Sequence, residues 1–219
     1  MTPTSNPLEK LELQKKIYRE SLFATAKVLC GYTDTNKHTH GRMIEVLQSP
    51  SKRKLIVMPR GSFKSSISVV AYSVWILINN PNARILIDSE IYTNSKNWIR
   101  EIKGVFKSEI FIDLFGDWEG SIWTEGELIV STRTKNLKES SVVAGGVGTT
   151  KTGQHFDYVL MDDLNSQKNS ETPENREKVI RHYQMNTAIL EPEGTLVVVG
   201  TRYAQTDVIG HILANEVNT

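Results

Sequence analysis

The residues best placed to do chemistry form a short loop between an apolar run and the start of a helix. The loop reads Pro59-Arg-Gly-Ser-Phe-Lys-Ser-Ser66 and follows the strand-like residues 55–58. Backbone N–H groups of such a loop and of the helix N-terminus face anions, which suits a nucleoside triphosphate. Lys64 would reach the β- and γ-phosphates, and the Ser65 hydroxyl would bind Mg²⁺. The predicted ATP-binding residues are Pro59, Arg60, Gly61, Ser62, Phe63, Lys64, Ser65 and Ser66.

The loop matches the phosphate-binding signature G-x-x-x-x-G-K-[ST], known as Walker A, only in part. The signature has glycine where this chain has Met58 and Phe63, and Gly61 is the one glycine within the loop. A residue with a Cβ fits such a loop if its φ is negative, but its backbone then approaches phosphate less freely than glycine does. We therefore expect weaker nucleotide affinity than a full glycine loop gives, or a loop that orders only on assembly.

A second motif places two carboxylates at the end of another apolar strand. Residues 158–161 are apolar and are followed by Asp162 and Asp163, the arrangement known as Walker B. In P-loop ATPases a carboxylate at such a strand end holds the Mg²⁺ shell, and its neighbour orients the attacking water. We therefore predict that Asp162 and Ser65 hold the metal and that Asp163 serves the water.

Composition favours one soluble α/β domain without disulfides. The chain has 219 residues, 39% of them hydrophobic, and a net charge of +1, so no global field draws it to nucleic acid or membrane. The single cysteine, Cys30, excludes an internal disulfide and suits a reducing compartment. The longest apolar stretch, residues 69–78, is too short to span a bilayer, and a basic-then-apolar leader is absent from the N-terminus.

Hydrophobic periodicity predicts strands that alternate with helices, as in a three-layer αβα sandwich with a mostly parallel sheet. We expect a disordered tail at residues 1–7, a helical segment at 8–50 and a core at 51–219. The predicted strands are residues 55–58, 84–88, 142–144, 158–161 and 196–199, and the predicted core helices are 65–78, 93–106, 173–186 and 207–217. A short antiparallel addition is predicted at residues 118–131, with a hairpin through Glu125-Gly126, and a mobile glycine-rich loop at 145–153.

Three motifs taken together resemble the ATPase half of the large terminase subunits of tailed phages. The first is the loop at residues 59–66; the others are Gly153-Gln-His-Phe-Asp-Tyr-Val-Leu-Met-Asp-Asp163 and Val199-Gly-Thr-Arg-Tyr203. Asn80-Pro-Asn-Ala-Arg-Ile-Leu-Ile87 is similar to the second strand of that family. The resemblance covers about residue 8 to the C-terminus, and it implies a RecA-like P-loop NTPase of the ASCE group that hydrolyses ATP with Mg²⁺.

The resemblance also implies roles for further residues. Asp163 stands where the family often has glutamate, which is one methylene longer. A base must come within about 2.6–3.2 Å of the proton that it takes, so the backbone must bring Asp163 closer or turnover will be low. Arg60 matches an arginine proposed to stabilise transition-state charge in cis. Gly200, Thr201 and Arg202 match the coupling motif, in which Thr201 senses the γ-phosphate or water and Arg202 relays the change.

A basic finger that reaches the ATP of a neighbouring subunit is a further expectation from the resemblance. Lys151, in the glycine-rich loop, is our first candidate, and Arg133 and Lys138 are the alternatives. Lysine lacks the planar, bidentate geometry of arginine.

The family's large subunit is a genome-packaging motor with an ATPase domain and a nuclease domain. The expected partners are therefore double-stranded DNA, the portal protein, the small terminase subunit and further copies in a ring, with a monomer as the alternative for an isolated domain. The expected location is the host cytoplasm, and we expect the nuclease domain to be absent from these residues. Two other functions stay open at this point: a helicase-like ATPase, and a catalytically weak nucleotide-sensing adaptor that binds DNA.

Overall fold

A seven-stranded sheet lies at the centre of the computed structural model, which describes residues 6–149, 151 and 153–216. The strands are β1 (Arg53–Val57), β2 (Ile85–Ser89), β3 (Glu119–Trp123), β4 (Glu127–Val130), β5 (Val142–Gly146), β6 (Phe156–Asp162) and β7 (Leu190–Gly200). Their order across the sheet is β1-β7-β6-β2-β5-β4-β3. In this spatial order the five neighbouring strands from β1 to β5 are parallel, and β4 and β3 extend the sheet with antiparallel pairing.

The central strands are buried on both faces, which explains their continuous apolar sequences. Every residue of β2 is buried, and so are the last seven residues of β7, where Leu196-Val-Val-Val199 lies between β1 and β6. Parallel strands covered by helices on both sides lack the polar alternation of half-exposed strands. The mostly parallel sheet with a short antiparallel addition, predicted from the sequence, is confirmed.

Helices cover both faces of this sheet. They are α1 (Pro7–Glu20), α2 (Leu22–Ala24), α3 (Lys37–Gln48), α4 (Tyr72–Asn79), α5 (Tyr92–Phe106), α6 (Glu109–Phe115), α7 (Gln167–Ser170), α8 (Pro173–Ala188) and α9 (Val208–Asn215). Two π-helical segments, Thr25–Leu29 and Ser66–Ala71, follow α2 and precede α4. Side-chain oxygens of Asn36 and Thr172 cap α3 and α8, as expected for residues that accept a bond from a first-turn N–H.

Two hydrophobic cores separate the three layers. One core joins the sheet to the helices from α1 to α6 and includes Ile67, Leu77 and Ile87. The other joins the opposite face to α8 and α9 and includes Met161, Tyr183 and Val198. Neighbouring residues of a strand point to opposite faces, so Leu160 lies in the first core and Met161 in the second.

The structure differs from the sequence expectations at several boundaries. The helix expected after residue 8 already begins at Pro7, ends at Glu20 and is interrupted by Ser21, whose φ of −123° is extended; residues 1–5 of the expected tail lie outside the described residues. Helix α6 was not predicted, because its one buried face, Phe111 and Leu114, is too short for a periodic signal. Gly145 and Gly146 of the expected loop belong to β5, and Thr150 and Thr152 lie outside the described residues.

We predict that Gly146→Ala destabilises the protein and Gly104→Ala does not. A Cβ on Gly146 would lie 2.6 Å from the backbone nitrogen of Tyr92, where α5 begins, so strand and helix must separate. The expected cost is about 1–3 kcal/mol in the free energy of unfolding. Gly104, inside α5, has open space around its Cα, so alanine there should stabilise the protein by about 0.5–1 kcal/mol. Urea unfolding of both variants tests this, and equal effects of the two substitutions would contradict it.

Candidate active site

The carboxyl ends of three parallel strands bring the three sequence motifs to one edge of the sheet. Val57, the last residue of β1, pairs with Gly200 at the end of β7, and Val199 pairs with Asp162 at the end of β6. Residues 58–65, the acidic pair and the residues after Gly200 therefore follow neighbouring strands. This edge is where open parallel sheets bind their ligands.

Lys64 and Ser65 meet the acidic pair directly. The Lys64 ammonium lies 3.2 Å from Oδ2 of Asp163, and the Ser65 hydroxyl donates a hydrogen bond of 2.6 Å to Oδ1 of Asp162. The Lys64 side chain is only 7% exposed, whereas that of Asp163 is 41% exposed, so solvent reaches this ion pair from the carboxylate side. Groups that are almost a hundred positions apart in the chain thus form one polar cluster.

Asp162 is a buried carboxylate with two donors. Besides Ser65, the indole Nε1–H of Trp98 donates to its Oδ2 at 3.1 Å. Burial raises the pKa of Asp162 to about 6, and the neighbouring charge of Asp163 adds to this, whereas the bonds from Ser65 and Trp98 and the charge of Lys64 oppose it. The sequence gives no signal for this role of Trp98, because a tryptophan on an amphipathic helix is typical of a core contact. Because burial disfavours the ionised form of Asp162, a cation bound at its carboxylate would stabilise that ionised form.

Asp163 adopts an unusual backbone conformation. Its φ is +44°, and its N–H donates to the carbonyl of Val199 at 2.9 Å. Its Oδ1 is buried and has no hydrogen-bond partner among the described residues, and a Cβ on Gly200 would lie 3.5 Å from that atom. Aspartate tolerates the left-handed region better than most residues, and strain of this kind concentrates at functional sites. This turn of the backbone brings the shorter aspartate side chain to Lys64.

Phe63 is also left-handed, with a φ of +53°, so it occupies the loop without the negative φ that a residue with a Cβ usually requires there. Its ring contacts Tyr32, at a centroid distance of 6.4 Å, and His40, at 6.3 Å. The loop therefore keeps the backbone shape that glycine normally supplies, and neighbouring rings hold the side chain.

The residues after β7 contact the phosphate loop at two points. The Thr201 hydroxyl donates to the carbonyl of Met58 at 3.3 Å. The Arg60 guanidinium lies 5.6 Å from the centroid of the Tyr203 ring and is hydrogen-bonded to its hydroxyl. Arg202 instead donates to the carbonyls of Ala204 and Gln205 in its own loop. The predicted coupling motif is thus joined to the loop through Thr201 and Tyr203.

The three candidate fingers lie in different places. Lys151 borders a cavity of about 410 Å³ beside Glu125 and Glu127, and burial lowers its pKa while Asp88 and Glu127 oppose that shift. Arg133 lies at the opposite, amino edge of the sheet, where its Nη1 donates to the carbonyl of Glu139 at 2.7 Å. The geometry brings neither residue to the Lys64 cluster.

Lys138 is held by the glycine-rich loop, because its ammonium donates to the carbonyl of Gly153 at 2.7 Å. Asp157, which the sequence analysis did not place in the chemistry, forms an ion pair with Arg84 at 2.9 Å. Both residues therefore have contacts outside the Lys64 cluster.

The donor set fits a magnesium–nucleotide complex better than a metal held by protein alone. Mg²⁺ is usually bound by one or two carboxylates together with substrate phosphates. Asp162 and Ser65 supply such oxygens, and Asp163 Oδ1 is a further acceptor without a partner among the described residues. Those residues contain no cluster of three or more His, Cys, Asp and Glu side chains that could hold a metal ion by themselves.

Comparison of the coordinates with solved structures identifies the fold. The crystal structure of the HK97 bacteriophage large terminase matches with a TM-score of 0.62 at 10% identity, over 91% of this chain and 41% of that chain. The chain shares the fold of a part of that terminase. A structure of S. cerevisiae Dbp5 bound to Nup159, Gle1, IP6 and ADP matches with a TM-score of 0.51 at 10% identity, over 88% of this chain and 49% of that chain.

No family model matches the chain, and no curated protein matches it. The chain spans less than half the length of either structural neighbour, so the likeness concerns a part of each. Within the described ranges, no helix is both long and apolar enough to cross a bilayer.

We predict that Asp162→Asn stabilises the protein without ligand, and that the gain depends on pH. Because the pKa of Asp162 rises from the usual 3.8 to about 6 on folding, the folded state favours its protonated form. The free energy of unfolding therefore falls as the pH rises through the range between these two pKa values. At neutral pH the loss is nearly complete and amounts to about 3 kcal/mol. Asparagine at position 162 avoids this loss of stability. Its side-chain oxygen can still accept a hydrogen bond from the Trp98 indole, and its NH₂ group donates to the Ser65 hydroxyl, which then accepts instead of donating.

Thermal unfolding between pH 4.5 and 8 without nucleotide and Mg²⁺ measures this. The melting temperature of the variant should exceed that of the wild type at pH 7.5, and the difference should shrink towards pH 4.5. Asp157→Asn is the control of opposite sign, since burial raises the pKa of Asp157 but the bonds from Arg84 outweigh it and lower that pKa overall. A lower melting temperature for Asp162→Asn at pH 7.5 would contradict the account.

Proposed function

We propose that this chain is an ATP-hydrolysing motor domain that drives double-stranded DNA into a phage procapsid, as part of a large terminase. The observation that carries the proposal is the convergence of Lys64, Ser65, Asp162 and Asp163 at the carboxyl edge of a parallel sheet. The ATPase-type fold of both structural neighbours supports it. The DNA-translocation role rests on the resemblance of the three motifs to terminases.

Nucleotide binding would exchange the partner of Lys64. Its ammonium now contacts Asp163 at 3.2 Å, and the β- and γ-phosphates of ATP would attract it more strongly because they carry more charge. The exchange frees the Asp163 carboxylate, which then orients a water molecule for attack on the γ-phosphorus. The water oxygen forms the new P–O bond as the bond to the β-phosphate oxygen breaks, and the water proton passes to Asp163 or to the phosphate product.

Asp162 and Ser65 would hold Mg²⁺ in this complex. Bound there, the ion neutralises phosphate charge and aligns the reacting oxygens. The 2.6 Å bond between the two side chains already places both oxygens side by side, and the indole of Trp98 fixes the other carboxylate oxygen. Metal binding would also keep Asp162 ionised near neutral pH, which offsets the cost of its burial.

Arg60 and Thr201 would connect hydrolysis to movement. Arg60 is positioned on the Tyr203 ring, from which it can turn towards the γ-phosphate and stabilise transition-state charge in cis. The bond between Thr201 and Met58 joins the phosphate loop to the end of β7, so loss of the phosphate is communicated to Gly200 and Arg202. Lys151 is the proposed finger towards a neighbouring subunit, ahead of Arg133 and Lys138.

The proposed partners follow from the same assignment. They are double-stranded DNA, the portal protein, the small terminase subunit and further copies of the chain in a ring, in the host cytoplasm. A helicase-like ATPase is the second candidate, favoured by the match to the Dbp5 structure. A nucleotide-sensing adaptor without turnover is the third, favoured by Met58 and Phe63 where the signature has glycine and by Asp163 where the family often has glutamate. Strand separation by the protein would support the second, and nucleotide binding without phosphate release the third.

We predict that Lys64→Ala abolishes nucleotide binding and ATP hydrolysis. Loss of the buried ammonium removes the main counter-charge to the phosphates, so turnover should fall by at least about 100-fold. Phosphate release and the anisotropy of a fluorescent ATP analogue measure the two effects. Lys16→Ala, at an exposed lysine of α1, is the matched control. Equal phosphate release by Lys64→Ala and the wild type would defeat the ATPase assignment.

We predict that Asp163→Asn separates binding from turnover. Asparagine tolerates the φ of +44° and removes the carboxylate that competes for Lys64, so nucleotide affinity should be retained or increased. Turnover should fall by about 10²–10⁴-fold, because the group that orients the water is lost. The same anisotropy and phosphate-release assays decide. A variant that hydrolyses ATP at the wild-type rate would exclude Asp163 as the base.

A further inference from the structure

Three aromatic rings connect the N-terminal segment to the phosphate loop. Tyr32 lies before α3, His40 lies in its first turns, and Phe63 directly precedes Lys64. The ring centroids of Tyr32 and Phe63 are 6.4 Å apart with the planes tilted by 50°, and those of His40 and Phe63 are 6.3 Å apart at 86°, edge to face. These are favourable geometries for aromatic pairs. We refer to Tyr32, His40 and Phe63 as the aromatic clasp.

The two outer rings of the aromatic clasp are themselves fixed. His40 is 3% exposed, and its Nδ1 accepts a hydrogen bond of 3.1 Å from the backbone N–H of Asn36, the residue that caps α3. The Tyr32 hydroxyl donates to Glu101 on α5 at 2.6 Å. Phe63, in contrast, is 39% exposed and stands on a loop. Hydrogen bonds to α5 and to the cap of α3 thus hold Tyr32 and His40 in place, and the Phe63 ring of the phosphate loop packs against both.

The backbone conformation of Phe63 depends on these ring contacts. A bulky residue at a φ of +53° is a conformational outlier, and it persists only where surrounding contacts determine it. Lys64 is the next residue, so the position of the Phe63 ring sets the direction in which the backbone enters Lys64. The ring is directed to the N-terminal segment, whereas the Lys64 ammonium contacts Asp163.

We propose that the aromatic clasp holds the phosphate loop in its nucleotide-accepting shape, and that Tyr32 and His40 are positioning residues for the site. A glycine at position 63 would adopt the same φ without help, so the clasp replaces an intrinsic property of glycine by contacts from a separate segment of the chain. This inference rests on the proposed nucleotide site. It also predicts that a change at His40 alters nucleotide affinity through Phe63, whereas Tyr32 has a second link to the loop because its hydroxyl is also hydrogen-bonded to Ser66.

A double-mutant cycle tests the dependence on Phe63. In the wild-type background, His40→Ala should raise the Kd of a fluorescent ATP analogue by about 2- to 10-fold, as should Tyr32→Leu. In the Phe63→Gly background, His40→Ala should leave the Kd unchanged, because glycine needs no clasp, and the effect of Tyr32→Leu should shrink to that of its lost hydroxyl contact with Ser66. Equal effects in the two backgrounds would overturn the proposal, since they would show a general packing role. Tyr32→Leu keeps the test valid if the buried His40→Ala variant fails to fold.

Hydrogen exchange without nucleotide separates failure of this inference from failure of the proposed function. His40→Ala and Tyr32→Leu should speed amide exchange at residues 60–64 at least about 2-fold, and His40→Ala should not change it in the Phe63→Gly background. If the wild-type protein binds no ATP analogue while the variants show this exchange pattern, the nucleotide site is refuted and the clasp is retained. Unchanged exchange in both single variants would refute the clasp, whatever the nucleotide result.

Discussion

The contact between a buried lysine and a carboxylate at the end of a neighbouring strand organises this protein. Lys64 is only 6% exposed, and an ammonium in such a place needs a counter-charge, which Asp163 supplies at 3.2 Å. The pair can exist only because β1 and β6 run in the same direction, with β7 between them, so that their following residues meet at one edge. Under the proposed function, a triphosphate would offer Lys64 a stronger partner and would release Asp163 for catalysis.

Backbone strain is concentrated beside this contact. In the described ranges, Phe63 and Asp163 are the only residues other than glycine with a positive φ, and each adjoins a proposed ligand of the Mg²⁺–nucleotide complex, Lys64 or Asp162. Aspartate tolerates a positive φ better than most residues and phenylalanine does not, and tertiary contacts hold both conformations: neighbouring rings for Phe63, and the bond to the Val199 carbonyl for Asp163. The site is therefore built by tertiary contacts to a greater extent than a glycine-rich loop would need.

The sequence predicted the frame of this site well and its details less well. The apolar strands at 158–161 and 196–199 and the order of the motifs were visible, because buried parallel strands leave continuous apolar runs. The role of Trp98 was not visible, since a tryptophan on an amphipathic helix fills a core in the same way whether or not its N–H meets a carboxylate. The positive φ of Phe63 could not be predicted either, because it depends on Tyr32 and His40, which lie about 20 to 30 positions earlier.

The exchange of partners at Lys64 is the central claim, and a crystal structure with a non-hydrolysable ATP analogue and Mg²⁺ tests it most directly. The account predicts that the Lys64 ammonium leaves Asp163 and lies within hydrogen-bonding distance of the β- and γ-phosphate oxygens, with Ser65 and Asp162 at the metal. A nucleotide bound elsewhere on the protein, with Lys64 still paired to Asp163, would contradict it.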